Sequence, residues 1–153
     1  MRKLFENWME TALKEAAQSG IDIPVGCVLV SSSGDVIAQT CNSREADGAL
    51  LGHAETNAVL EAWGSPEFGE LGGATLVTTL EPCIFCAAII RETGISRVIY
   101  GANNSQRGAA GSVYDLLRDR RLGPPIEVIG GVLSQPCQQL LDRFFEQIRS
   151  SKL

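Results

Sequence analysis

The sequence predicts an α/β fold: a three-layer α/β/α sandwich in which five strands carry helices on both faces. Two patterns predict it. Short apolar runs bounded by Gly, Pro, Asn and Ser recur along the chain, and stretches of helical period alternate with them. The length of 153 residues suits one domain spanning 1–153.

The elements follow in order. Phe5, Trp8/Met9, Ala12/Leu13 and Ala16/Ala17 give a helical period over Leu4 to Ser19 that ends near Gly20. Val25 to Ser31 reads as a buried strand, Ser32-Ser33-Gly34-Asp35 as a turn, and Val36 to Cys41 as the returning strand. A polar loop from Asn42 to Gly52 leads to a helix over His53 to Trp63, stopped by Gly64, Ser65 and Pro66. Ala74 to Thr79 is the third strand. Pro82 or Cys83 opens a helix that ends at Gly94, and Arg97 to Tyr100 is the fourth strand. Gly101 to Gly111 is a loop rich in Gly and Asn, followed by a short helix near Val113 to Leu117. Ile126 to Ile129 is the fifth strand. Cys137, Leu140/Leu141, Phe144/Phe145 and Ile148 then form the apolar stripe of a last helix.

Composition narrows the class. Hydrophobic residues make up 44% of the chain, yet no apolar run approaches the roughly 20 residues that span a bilayer. The first residues carry no apolar secretory stretch, so a cytoplasmic chain with no membrane partner is expected. The formal charge of −5 does not announce a nucleic-acid binder and does not exclude one, because local patches decide phosphate contact. Five cysteines, an odd number, argue against a disulfide framework. Cys27, Cys41 and Cys137 fall in apolar strands or stripes and read as core.

Cys83 and Cys86 remain, with His53 as the only histidine. Three residues apart, the two thiolates project from one side of a helix's first turn, where the helix dipole favours negative charge. A catalytic zinc takes three protein ligands and leaves one position for water, whereas a structural zinc wants four. The chain offers three. Glu55 stands two residues after His53, and at a helix's first turn both side chains can reach one space. A carboxylate there can move protons between zinc-activated water and a ring nitrogen. Taken singly, a Cys-x-x-Cys is often a redox pair and a lone histidine a core residue. Jointly, His53-Ala54-Glu55 and Pro82-Cys83-Ile84-Phe85-Cys86 match the signature of zinc nucleobase deaminases.

On these motifs the sequence resembles the cytidine deaminase superfamily, and within it the bacterial tRNA-specific adenosine deaminases. The resemblance runs nearly end to end. It includes Ile23-Pro24-Val25-Gly26, Asn42, Thr79-Leu80-Glu81-Pro82-Cys83 and Gly108-Ala109-Ala110-Gly111-Ser112. Arg118-Asp119-Arg120-Arg121-Leu122 looks like the actinobacterial branch. The resemblance implies a cytidine deaminase-like fold with a five-stranded mixed sheet. It implies one Zn2+ per subunit on His53, Cys83 and Cys86, with Glu55 as the catalytic proton carrier. It places Val25, Asn42, Ala54 and Pro82 at the substrate and implies a homodimer. The alternative use of Asn42 is an Asx turn at the end of a strand.

The chain also departs from that pattern. Gly48-Ala49-Leu50-Leu51-Gly52 stands where the tRNA enzymes usually carry Asp-Pro-Thr-Ala. Thr56-Asn57 replaces larger aliphatics, Asn103-Asn104 replaces an Arg/Gln-Asp pair, and Gly123-Pro124-Pro125 replaces an Asn-His segment. Asn104, Arg107 and Phe145 are candidate nucleic-acid contacts; the bland reading of Asn104 and Arg107 is a solvated loop. The expected reaction is conversion of adenosine to inosine at the tRNA wobble position. The alternative is deamination of a free nucleobase or nucleoside such as guanine, cytosine or cytidine. A catalytically silent subunit would lose the glutamate, and Glu55 is present. Ser151-Lys152-Leu153 matches a peroxisomal address, read here as chance in a bacterial-type sequence.

Overall fold

The computed structural model describes residues 1–63, 65–66 and 71–152; Gly64, part of the expected helix stop, and Leu153 lie outside the described residues. Helix α1 (Arg2–Ala16) precedes a hairpin of β1 (Gly26–Val30) and β2 (Val36–Cys41). Then come α2 (Ala54–Trp63), β3 (Thr75–Leu80), α3 (Ile84–Arg91), β4 (Arg97–Ala102), β5 (Glu127–Ile129) and α4 (Ser134–Ser151). The five strands form one sheet in the order β2-β1-β3-β4-β5. Pairing is antiparallel between β1 and its neighbours β2 and β3, and parallel from β3 to β4 to β5. The sheet is mixed, as expected.

Alternation along the strands divides the core in two. Cys27 and Leu29 of β1, Leu76 of β3 and Val98 of β4 join Ala58, Val59 and Ala62 of α2 and Ala87 and Ile90 of α3. Val28, Val30, Val77 and Ile99 point the other way, onto Phe5, Met9 and Ala12 of α1 and Cys137 and Leu141 of α4. Helix α1 reaches the sheet because Gly26 has no side chain: a Cβ there would lie 1.9 Å from the carbonyl oxygen of Ala12. Cys27 and Cys137 are buried as expected, whereas Cys41 is half-buried at the end of edge strand β2.

The short helix expected near Val113 to Leu117 is absent. Its backbone donors are engaged elsewhere: Val113 and Tyr114 N–H both donate to the Gly108 carbonyl, and Leu116 N–H donates to Ala109. The Arg91 guanidinium then holds the Leu116 and Leu117 carbonyls at 3.1 and 2.7 Å. Leu117 is buried in the core by this strapped loop rather than by a helix face. The one helical turn in the region lies further on, a 3₁₀ turn at Arg120–Leu122.

Candidate active site and metal centre

Two helix N-termini meet at the candidate site. His53 lies one residue before α2, and its carbonyl accepts from the Asn57 N–H at 2.8 Å. Cys83 caps α3 in extended backbone, φ −76° and ψ 174°, and Cys86 follows inside the first turn. His53 Nδ1 lies 3.3 Å from Cys86 Sγ and 3.7 Å from Cys83 Sγ. The three ligand atoms all lie within 4.8 Å of one another, and among the described residues this is the group of His, Cys, Asp and Glu side chains so arranged.

The donor set fits zinc. With Zn–N and Zn–S bonds of about 2.0 and 2.3 Å, a tetrahedron has N···S edges of about 3.5 Å. The two N···S distances bracket that value. Three donors, two of them thiols, match the three protein ligands a catalytic zinc takes, and His53 and Cys83 also line the cavity. The edge of the Phe85 ring meets the His53 ring at 82° with centroids 6.0 Å apart, which limits rotation of the imidazole.

The protons of the cluster are unevenly held. Hydrogen bonding from Cys86, then from His53, brings the Cys83 thiol down to about 3. Cys86 shares its proton with Cys83 and is buried beside it, which pushes its own thiol upward. The hydrogen bond to Cys83 raises the His53 imidazole. A metal that takes both sulfurs must displace the Cys86 proton.

Glu55, the second residue of α2, is only 5% exposed. Burial raises its carboxyl above the usual range. Its Oε1 accepts from the Thr78 hydroxyl at 3.3 Å, and its Oε2 lies 3.7 Å from Cys86 Sγ. A buried carboxyl beside the donor cluster can hold and release a proton where water enters.

His53, Glu55 and Cys83 line a cavity of about 550 Å3, and Val25, Asn42 and Ala54 share its wall. Asn103 to Arg107 line it from the β4–β5 loop, and Gln138, Leu141 and Phe145 from α4. The structure thus brings Asn104, Arg107 and Phe145 to the same cavity as His53 and Cys83. Pro82 is different: it is buried off the lining, and its carbonyl accepts from the Ala109 N–H at 2.8 Å. Asn42 makes the Asx turn, accepting from the Arg44 N–H at 3.2 Å, while its amide donates to the Ile23 carbonyl at 3.1 Å. Ala54 is held by its carbonyl, which accepts from the Thr40 hydroxyl at 2.6 Å. A second cavity of about 350 Å3 adjoins the first through Ile23, Asn42, His53 and Arg107.

Thr78, Glu81 and Phe85 were not singled out as site residues by sequence reasoning. Glu81 and Phe85 sit beside the cysteine ligands in the chain, and an acid directly before Pro-Cys was the available signal. Thr78 carries no local signal, because only the sheet brings β3 under α2.

A His-Cys-Cys donor set beside a buried glutamate, between two helix N-termini of an α/β/α sandwich, defines a zinc-dependent hydrolytic deaminase. Residues 2–102 match the cytidine and deoxycytidylate deaminase zinc-binding region, and the chain belongs to that family. It is 39% identical over 147 residues to the tRNA-specific adenosine deaminase of Streptococcus pyogenes serotype M18 (strain MGAS8232), covering 95% of this chain and 92% of that one. A structure from studies of A-to-I editing by tRNA:A34 deaminases superimposes with a TM-score of 0.81 at 33% identity, covering 88% of this chain and 99% of that chain. The guanine deaminase of Nitrosomonas europaea shares the fold with a TM-score of 0.76 at 19% identity, covering 91% of this chain and 83% of that chain.

Proposed function

We propose that this protein converts adenosine to inosine at the wobble position of a tRNA anticodon loop, as a cytoplasmic homodimer. The observation that carries the reading is the shared cavity. Glu55, His53 and Cys83 line the same space as Arg107 and Phe145, so base chemistry and polynucleotide contacts adjoin. Kinship over nearly the whole chain with proteins named tRNA-specific adenosine deaminase supports the substrate class.

Zinc, when held by His53, Cys83 and Cys86, supplies a Lewis acid that makes water a nucleophile at neutral pH. Val25 and Ala54 pack against the flipped adenine, and Asn42 uses its remaining hydrogen-bonding capacity on the base or its ribose. Glu55 takes a proton from the attacking water and gives it to the ring nitrogen N1. It then takes the proton of the new C6 hydroxyl and passes it to the exocyclic amine, so that the C6–N6 bond breaks, the C6 carbonyl forms and ammonia leaves. Adenosine and water become inosine and ammonia. Outside the pocket, Arg107 meets a phosphate and Phe145 offers a face for a neighbouring base.

The homodimer is supported by Leu60 of α2 and Ile84 of α3, apolar residues 54% and 46% exposed on neighbouring helices. No helix among the described residues is long and apolar enough to cross a membrane.

Zinc-loaded protein incubated in parallel with a tRNA transcript bearing a wobble adenosine and with guanine, cytosine and cytidine tests the reading. Inosine in the tRNA supports it. Ammonia from a free base, with no inosine in the tRNA, overturns it.

A further inference from the structure

Glu81 is a buried acid that zinc chemistry does not use. It is 1% exposed and immediately precedes Pro82 and the ligand candidate Cys83. None of the ion pairs among the described residues includes it. Its charge is met by hydrogen bonds from one loop. Oε1 accepts from the Asn104 N–H at 3.4 Å and from the Ser112 hydroxyl. Oε2 accepts from the N–H groups of Ala110 and Ser112, each at 3.2 Å.

That loop joins β4 to β5 and faces the cavity with Asn104 and Arg107. Gly108 lets the carboxylate in: a Cβ there would lie 2.1 Å from Glu81 Oε2 and 2.5 Å from the Asn104 carbonyl oxygen. Asn104 then passes the constraint on, because its side-chain oxygen accepts from the Arg107 N–H at 3.0 Å. Cys83 and Gly108 also pair as an isolated antiparallel bridge. One end of this short path holds the metal helix, and the other holds the cation at the cavity wall.

We propose that Glu81 is a positioning residue for substrate binding, holding Asn104 and Arg107 in register with the metal centre so that polynucleotide phosphates meet Arg107. This rests on the tRNA reading above. The site offers donors to two acceptor oxygens. An amide would turn an NH2 group toward backbone N–H donors, and a methyl would leave three N–H groups without their acceptor.

The test compares wild type, Glu81→Gln, Arg107→Ala and the double variant, each zinc-quantified, on a tRNA transcript with a wobble adenosine. Glu81→Gln should keep its zinc and raise KM about tenfold or more, with the saturated single-turnover rate within about threefold of wild type. Arg107→Ala should cost KM heavily in wild type and less than about twofold further beside Glu81→Gln, because the cation is already out of register. Additive KM effects, a fall in saturated rate with unchanged KM, or zinc loss would each overturn the proposal. Should Glu81→Gln fail to fold, Ser112→Ala removes one of the four donors and must show a smaller effect on KM alone. Wild-type turnover of the transcript reports on the tRNA reading separately, since the proposal is read only from ratios of variant to wild type.

Discussion

His53 Nδ1 and Cys86 Sγ lie 3.3 Å apart although 33 residues separate them in the chain. Helices α2 and α3 pack on the same sheet face with their N-termini together, and that packing makes the contact. Hydrogen bonds from Cys86 and His53 favour the ionised form of Cys83, while its hydrogen bond to Cys83 and its burial keep the proton on Cys86 until a metal displaces it. A tetrahedral metal fits the spacing with little movement.

Metal removal is therefore expected to weaken the fold as well as the activity. Cys86→Ala should drop bound zinc from about one per chain to less than about a tenth and reduce deamination by more than about a thousandfold. Metal analysis with a thermal melt checks this. A variant that kept full zinc and turnover would contradict the assigned donor set.

Glu55 should show opposing effects on stability and function. Glu55→Gln keeps the hydrogen bond from Thr78 but cannot carry a proton, so turnover should fall by about 10²- to 10⁴-fold with zinc retained. The pH dependence follows from burial, which raises the folded-state pKa above the unfolded value of about 4.3. Between those values the folded state binds more protons than the unfolded one, so stability falls as pH rises. Metal-free wild type should lose stability relative to metal-free Glu55→Gln as pH climbs above the unfolded value of about 4.3. Urea midpoints at matched pH measure the difference.

Cys137 gives the corresponding effect at alkaline pH. Burial pushes its thiol up to about 12, while an unfolded thiol ionises near about 8.5. The stability it contributes is complete below about 8.5 and is lost as pH rises toward 12. Cys137→Ala should flatten the alkaline fall in melting temperature while lowering stability at pH 7 by about 1 kcal/mol through the space it leaves. An unchanged alkaline limb would show that the thiol does not titrate across unfolding.

At the cavity wall, Arg107→Ala should lower the salt dependence of tRNA binding by about one phosphate contact. Phe145→Ala should weaken binding by about 1–3 kcal/mol without changing that slope, because stacking is not a counterion effect. Binding isotherms at several salt concentrations separate the two. Equal slopes for wild type and Arg107→Ala would remove the arginine from the phosphate path.

Much of this was legible in the sequence because it is local. The strands and helices follow from short-range periodicity, and His-x-Glu with Pro-Cys-x-x-Cys names the donor types before any geometry is known. What was not legible depends on distant partners. The Val113–Leu117 stretch has helical composition, yet Gly108 and Arg91 claim its backbone groups, and neither partner is visible from the stretch itself. Thr78 meets Glu55 only across the sheet. Pro82 neighbours a candidate ligand in the chain but is not among the residues lining the cavity, and its carbonyl is engaged by the Ala109 N–H.

The account is tested most directly by sequencing a tRNA transcript with a wobble adenosine after incubation with zinc-loaded wild type and with zinc-loaded Glu55→Gln. The expected result is inosine, read as guanosine, at the wobble position with wild type and almost none with the variant. Inosine formed equally by both proteins, or by neither while a free base yields ammonia, would contradict it.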